Sequence, residues 1–278
     1  MAIKGTACMG DSALDNPFWA SLQSRHKALA QGSADIARFP SSHAPFLGVA
    51  NAGIDVVAAL DPLIGPDETV YLLGVATAEP RGWTMRIDQP LAQMACESPI
   101  EVIDGPPITE LSDDAHRADA MALTALVYPH FFRARTMELG RYFGIYQGSR
   151  LAAMIGERLG TDDAQEISAI CTHPDFTGRG YSRRLLAMLT NDNLQRGRLA
   201  FLHVNHKNLR AKSMYERIGY NVRRDIDFWS LRRTARKSTA PTDTPARNQI
   251  ESGGFPEGYL VPEDGHHLLR GSASQIRA

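Results

Sequence analysis

The stretch NLRAKSMYERIGY, residues 208–220, decides how the rest of the chain is read. Asn208, Ala211, Tyr215 and Gly219 stand three, four and four residues apart. That spacing predicts a helix, with Asn208 as its cap and Gly219 as its stop. Seven residues, about two helical turns, separate Asn208 from Tyr215, so both fall on one face. Capping and packing explain such a pair; so does a site into which both residues reach. The helix by itself does not choose.

A second stretch lies 28 residues upstream, counted from Gly180 to Asn208. In HPDFTGRGYSRRLL, residues 173–186, Gly178 and Gly180 fall between the end of an apolar run and the start of an amphipathic one. A glycine turn at a helix start points several backbone N–H groups the same way, at the positive end of the helix dipole. An anion fits there, and pyrophosphate is a frequent occupant. Arg179, Arg183 and Arg184 add positive charge. The turn lacks the Lys-Ser/Thr of a P-loop and the G-x-G-x-x-G of a dinucleotide fold.

Together the two stretches resemble the signatures of the GNAT superfamily of acyl-CoA-dependent N-acetyltransferases. The first signature is Gln or Arg, two residues, Gly, one residue, then Gly or Ala. Here Gly180 matches, Thr177 replaces the long polar residue and Ser182 the small one. The second, N-x-x-A-x-x-x-Y-x-x-x-G-F/Y, is matched throughout by residues 208–220. The wider wording, LGRYFGIYQGSRLAAMIGERLG and EISAICTHP, is similar to the branch that contains glycine N-acyltransferase-like proteins. The resemblance implies an α/β fold with a mixed sheet, splayed central parallel strands and flanking helices. Those strands are the ones containing Ile170-Cys171-Thr172 and Leu202-His203-Val204.

It also implies acetyl-CoA as co-substrate and no metal. Backbone groups of Cys171 and Thr172 would pair with pantetheine. Thr177, Gly178, Arg179, Gly180, Tyr181, Ser182 and Arg183 would hold the pyrophosphate, and Asn208 the pantetheine. Tyr215 would face the leaving thiolate. Glu166 is the first candidate for a base and His203 the second. The reaction implied is direct attack of a primary amine, on a small molecule or peptide, in a ternary complex. A CoA-binding sensor without turnover is the competing class. A Cys171 nucleophile does not suit a family that transfers directly.

Working outward, residues 108–235 read as strand, helix or two, hairpin, strand, helix, strand, helix, strand. Ser112 is the expected cap of the first of these helices, and Gln147-Gly148-Ser149 the hairpin turn. Residues 16–107 read as an N-terminal α/β lobe without a chemical motif, a degenerate transferase-like unit being one reading. Within it QPLAQMACE suggests a short helix and IEVID a strand. Residues 1–15 read as frayed, and 236–278 as a largely disordered tail in which His266-His267 is a solvated pair rather than a metal site.

Composition sets the outer limits. The chain has 278 residues and a formal net charge of −1. Near-balanced charge gives no footprint for nucleic acid or an anionic membrane. Cys8, Cys96 and Cys171 are few and far apart, so neither a disulfide framework nor a zinc cluster is expected. No signal-peptide run or membrane-spanning run is present in the sequence, and a cytoplasmic setting is expected. The oligomeric state, a homodimer included, stays open.

Overall fold

The computed structural model describes residues 11–127 and 129–234. A seven-stranded sheet forms its centre. In chain order the helices are α1 (Asp11–Asp15), α2 (Pro17–Gln23), α3 (Val57–Leu63), α4 (Asp114–Val127), α5 (Tyr181–Gln195) and α6 (Leu209–Arg217). The strands of the N-terminal lobe are β1 (Gln31–Gly32), β2 (Ile36–Arg38), β3 (Leu47–Val49), β4 (Thr69–Leu73), β5 (Trp83–Ile87) and β6 (Leu91–Cys96). Then come β7 (Thr109–Glu110), β8 (Tyr142–Gln147), β9 (Arg150–Gly160), β10 (Ala164–Thr172), β11 (Leu199–Asn205), β12 (Asn221–Ile226) and β13 (Phe228–Arg233). The central sheet runs β12-β6-β11-β10-β9-β8-β7, and β10 with β11 is its parallel pair. This is the mixed α/β architecture that the sequence predicts.

β9 and β10 are buried along nearly their whole length. Their near-continuous burial, rather than an in–out alternation, follows from cover on both faces. Glu157 accepts a hydrogen bond from Asn193 of α5, while the next residue, Arg158, lies over the Phe46 ring. Successive strand residues point to opposite faces. So α5 covers one face, and the N-terminal lobe covers the other.

The expected boundary at 107/108 does not separate two bodies. β6 belongs to the N-terminal stretch, yet it lies between β11 and β12, with Leu202 opposite Met94. The segment around it reads as a helix because Leu, Gln, Met and Ala all favour one, but a slot between two strands outweighs that local preference. β4 and β5 in turn pair with β13 from the end of the described chain. One apolar core runs through both parts, from Phe18, Phe39 and Phe46 to Leu186 and Phe201. A smaller core around Leu60, Val70, Trp83 and Leu231 lies under the second sheet.

Other expectations shift locally. Of the stretch 1–15 expected to be frayed, residues 11–15 form a helical turn with Leu14 buried, and residues 1–10 lie outside the described residues. Residues 100–104 are a loop, not a strand. The α4 cap is Asp113, whose Oδ1 accepts from His116 N at 2.8 Å, one residue later than Ser112. Gln147 pairs with Arg150, leaving a two-residue hairpin turn at Gly148-Ser149. The tail from 236 on, with His266 and His267, lies outside the described residues. Among the described residues no helix is long and apolar enough to cross a membrane.

Candidate functional site

The site begins with a parting of strands. β10 and β11 pair only over Ala164–Glu166 and Leu199–Phe201, although both strands run several residues further. On the other side of β10 the register against β9 slips between Ser168 and Cys171. Ala169 sits in this bulge with φ +50°, a region that a residue with a Cβ seldom enters. The bulge twists β10 out of register and accompanies its separation from β11. The splayed central strands are therefore present.

The turn at the end of β10 is built from glycines for a steric reason. Gly178 and Gly180 have φ of +74° and +78°. A side chain in that left-handed region is strained. At Gly180 a Cβ would also come within 3.3 Å of the Ile103 side chain. Thr177 closes the turn by donating from its hydroxyl to Pro174 O at 3.1 Å. Ser182 has a local role: its hydroxyl meets that of Thr172 at 2.7 Å, joining the end of β10 to the start of α5.

A cleft of about 230 Å³ opens over this turn. Its lining includes all of the predicted cofactor residues except Cys171: Thr172, the run from Thr177 to Arg183, and Asn208. Phe176, Arg210, Ala211, Met214 and Arg217 complete it. Arg184 is turned away, donating to the carbonyls of Pro106 and Ile103 in the loop across α5. Its charge therefore does not join that of Arg179 and Arg183.

Residues 208–220 divide between structure and cleft. Asn208 caps α6, its Oδ1 accepting from Ala211 N at 2.9 Å, and it also lines the cleft. Gly219, with φ +111°, ends the helix, and Tyr220 N reaches back to Tyr215 O in the six-to-one bond of a helix stop. The Tyr220 hydroxyl meets Thr190 of α5 at 2.7 Å, so the last motif position is an anchor. Tyr215 is buried and lies behind the cleft lining, not in it. Burial raises its hydroxyl pKa well above the ordinary value, with Cys171 adding to the rise.

The faces of α6 account for this. Arg210, Met214 and Arg217 follow one another by four and three residues and look onto the cleft; Ala211 and Tyr215 are buried against the protein. Asn208 and Tyr215 share a side only roughly.

Glu166 and His203 meet, but not in the cleft. Glu166 is 1% exposed and His203 5%. Arg158 donates to both Glu166 oxygens at 2.8 and 2.7 Å, and His203 Nδ1 lies 2.7 Å from Oε1. The ionised carboxylate can only accept, which fixes the Nδ1–H tautomer of His203. Gln93 then donates one amide proton to Leu14 O and points the other at His203 Nε2, 3.0 Å away. Arg223 donates to Gln93 Oε1 and pairs with Asp15. Burial alone would raise the Glu166 pKa; Arg158 and His203 overcome it and hold the carboxyl at about 2. A carboxylate so held, with both oxygens engaged, is a weak base. The expectation of Glu166 as the base thus conflicts with its surroundings, and His203 is committed to the same network.

Cys171 is buried, and burial pushes its thiol up to about 12. A thiolate nucleophile there is disfavoured. Among the described residues no group of three or more His, Cys, Asp or Glu is placed to hold a metal ion.

Arg210, Met214 and Arg217 are the cleft residues that the sequence reading missed. They occupy unspecified positions of the second signature. Helical spacing from Ala211 could have found them, because 210, 214 and 217 form one stripe beside it.

Splayed strands, a glycine turn and a cleft lined by arginines thus lie together, and comparisons with known proteins bear on what they belong to. The FR47-like protein family model matches residues 142–230. A structure from Novosphingobium aromaticivorans described as an acetyltransferase of the GNAT family is 29% identical, with a TM-score of 0.74 over 81% of this chain and 100% of that one. A GCN5-related N-acetyltransferase from Kribbella flavida is 16% identical, with a TM-score of 0.58 over 80% of this chain and 96% of that one. A GCN5-related N-acetyltransferase-like protein from Streptococcus suis is 14% identical, with a TM-score of 0.50 over the same shares. The last two speak for the fold alone. No match was found among curated proteins. Residues 142–230 thus match the FR47-like family, and the chain is similar in sequence and fold to a GNAT-family acetyltransferase, a likeness that supports acyl transfer at the level of the family.

Proposed function

We propose that this protein transfers an acetyl group from acetyl-CoA to a primary amine by direct attack in a ternary complex. The observation that carries the reading is the parting of β10 and β11 beside a glycine turn at the positive end of α5. The turn's N–H groups would hold the pyrophosphate, and Thr172 and Asn208, which line the same cleft, would hold the pantetheine.

When bound, acetyl-CoA supplies an activated carbonyl. The protein orients it, excludes water and stabilises the charge that develops on oxygen and sulfur. Backbone N–H groups at the Ala169 bulge, where the register against β9 slips, are the candidate donors to the oxyanion. Tyr215 acts as a hydrogen-bond donor to the departing sulfur rather than a full acid. A thiol has a pKa of about 8.5 and an ordinary tyrosine about 10. Burial widens that gap, so complete proton transfer becomes still less favourable. Glu166 serves as a fixed negative charge that positions Arg158 and His203. The amine therefore reacts in its neutral form, and its proton leaves through water.

A second reading, a CoA-binding sensor without turnover, is favoured by one observation: the Glu166 oxygens are both occupied. Thiol release from acetyl-CoA across amino acids, polyamines, aminoglycosides and peptides separates the two. Release with at least one acceptor supports the enzyme; tight CoA binding with no release for any acceptor supports the sensor. In the enzyme, Tyr215→Phe lowers kcat far more than it weakens CoA binding. Equal loss in both would make Tyr215 a packing residue.

A further inference from the structure

The second sheet, β4-β13-β5, has two unlike faces. Val70, Leu72, Trp83 and Leu231 belong to the smaller apolar core on one of them. Residues directly opposite each other on neighbouring strands share a face, so the register puts Tyr71, Ser230 and Arg86 together on the other. Asp88 extends that row. It lies two residues beyond Arg86, and its N–H donates to Phe228 O at 2.8 Å.

This polar face stands at the open end of the strand fork, on the lobe side of the central sheet. Asp88 comes three residues before Leu91, which lies opposite Asn205 at the end of β11 and Ile226 at the end of β12. Aromatic contacts lead from the same face back to the fork. The Tyr71 ring is 5.2 Å from Phe228 and 5.0 Å from Phe131, and Phe131 is 6.1 Å from Phe46. Phe46 packs against the guanidinium of Arg158, the partner of Glu166, and Glu166 is in the last pair before β10 and β11 part.

Asp88 and Tyr71 are half-buried. Among the described residues the Asp88 carboxylate and the Tyr71 hydroxyl make no hydrogen bond, and Asp88 makes no ion pair. The nearby positive groups are Arg86, on the same face, and Arg133, on the loop after α4; both are exposed. Burial outweighs Arg86 and raises the Asp88 carboxyl to about 6, so it is still mostly ionised at neutral pH. A half-buried carboxylate without a partner is costly to hold, and a cation supplied by a ligand offsets that cost. Arg133 acts on Tyr71 from the loop, which directs a positive group toward Asp88 and away from the loop.

We infer that this face receives the acceptor, and that the acceptor is a diamine whose second, non-reacting ammonium is held by Asp88 beside the Tyr71 hydroxyl. The inference rests on the transferase reading above and adds the acceptor's class to it. An ammonium has three protons to donate, and the Asp88 carboxylate and Tyr71 oxygen accept two of them. The reach is suitable. Asp88 is four residues from Ala92, which lies opposite Val204 in the parted half of β11, so the two are at most about 14 Å apart. A short carbon chain between two nitrogens, added to the Asp88 side chain, spans such a gap. The free amine then attacks the thioester carbonyl: the N–C bond forms, the C–S bond breaks, sulfur leaves as thiolate and the amine proton departs through water.

The test is thiol release from acetyl-CoA by the full chain, with α,ω-diamines of four to six carbons against amino alcohols of the same length. The expected KM is about 10- to 100-fold lower for the diamine, the range of hydrogen bonds to charged groups. Asp88→Asn keeps the shape and removes the charge, and it brings that ratio to within about threefold by raising the diamine KM rather than lowering kcat. Asp88→Glu restores part of the ratio, and Tyr71→Phe reduces it by less than Asp88→Asn does. Thermal melting and CoA titration confirm that each variant is folded.

A diamine no better than its amino alcohol would overturn the inference and leave the transferase reading intact. So would a ratio that survives Asp88→Asn. If no amine releases thiol, the transferase reading fails, and calorimetric titration of the CoA-saturated chain with 1,4-diaminobutane decides the inference by itself. Binding that Asp88→Asn abolishes supports it; no binding, or binding that Asp88→Asn leaves unchanged, overturns it.

Discussion

The two faces of the seven-stranded sheet handle charge in opposite ways. On the face toward α5 and α6, arginines and backbone N–H groups stand around an open cleft with no acidic group in its lining. On the face toward the N-terminal lobe, Arg158, Glu166, His203, Gln93 and Arg223 form a closed chain of hydrogen bonds. Each polar group there faces another, and aromatic rings such as Phe46 pack over them. A set of like charges around an open cleft is suited to a ligand. A closed and mutually satisfied set is suited to holding strands in place.

That contrast can be broken most severely by removing the lobe. A chain beginning at residue 108 lacks β6, so β11 and β12 lose the strand between them. It also lacks Phe18, Phe39 and Phe46 from the core. The expected outcome is insoluble or unfolded protein by circular dichroism. A soluble, folded fragment would mean that the lobe only caps a self-sufficient domain.

A smaller break is Glu166→Gln. Removing one partner of a buried pair leaves Arg158 uncompensated, and the expected loss is about 3–5 kcal/mol in urea unfolding. The sign with pH follows from the depressed carboxyl. Its stabilisation is fully present above the unfolded value of about 4.3 and is lost as pH falls through the folded value of about 2. The difference in stability between the parent protein and the variant therefore narrows between those limits. A variant as stable as the parent would show that the closed face contributes no net stability. Under the proposed mechanism the rate also follows the acceptor amine's own ionisation, with no added limb from Glu166.

The smallest break is on the open face. Gly180→Ala forces a Cβ into a left-handed conformation 3.3 Å from Ile103. The expected cost is about 1–3 kcal/mol in stability. CoA binding should weaken as well, because the N–H groups of the turn shift. Unchanged CoA affinity, measured by titration, would mean that the turn does not hold the pyrophosphate.

Much of the open face was legible because its residues carry local signatures. Glycines at positive φ, a capping Asn and a helix stop are written in short windows of sequence. The closed face was not legible in the same way. Glu166 reads as a strand-start carboxylate in reach of solvent, but its oxygens are taken by Arg158, eight residues away, and His203, 37 residues away. Nothing local announces that pairing. β6 is a similar case: its composition favours a helix, and only its place between two strands makes it extended.

The sequence by itself determined the glycine turn and the cap and stop of α6, since each depends on backbone conformations that few residues permit. Tertiary structure alone decided that Glu166 is locked rather than exposed, that Tyr215 sits behind the cleft, that residues 91–96 complete the sheet, and that Arg210 and Arg217 face the turn across open space. Those outcomes depend on which groups meet over long separations, and that is fixed by burial and packing rather than by local spacing.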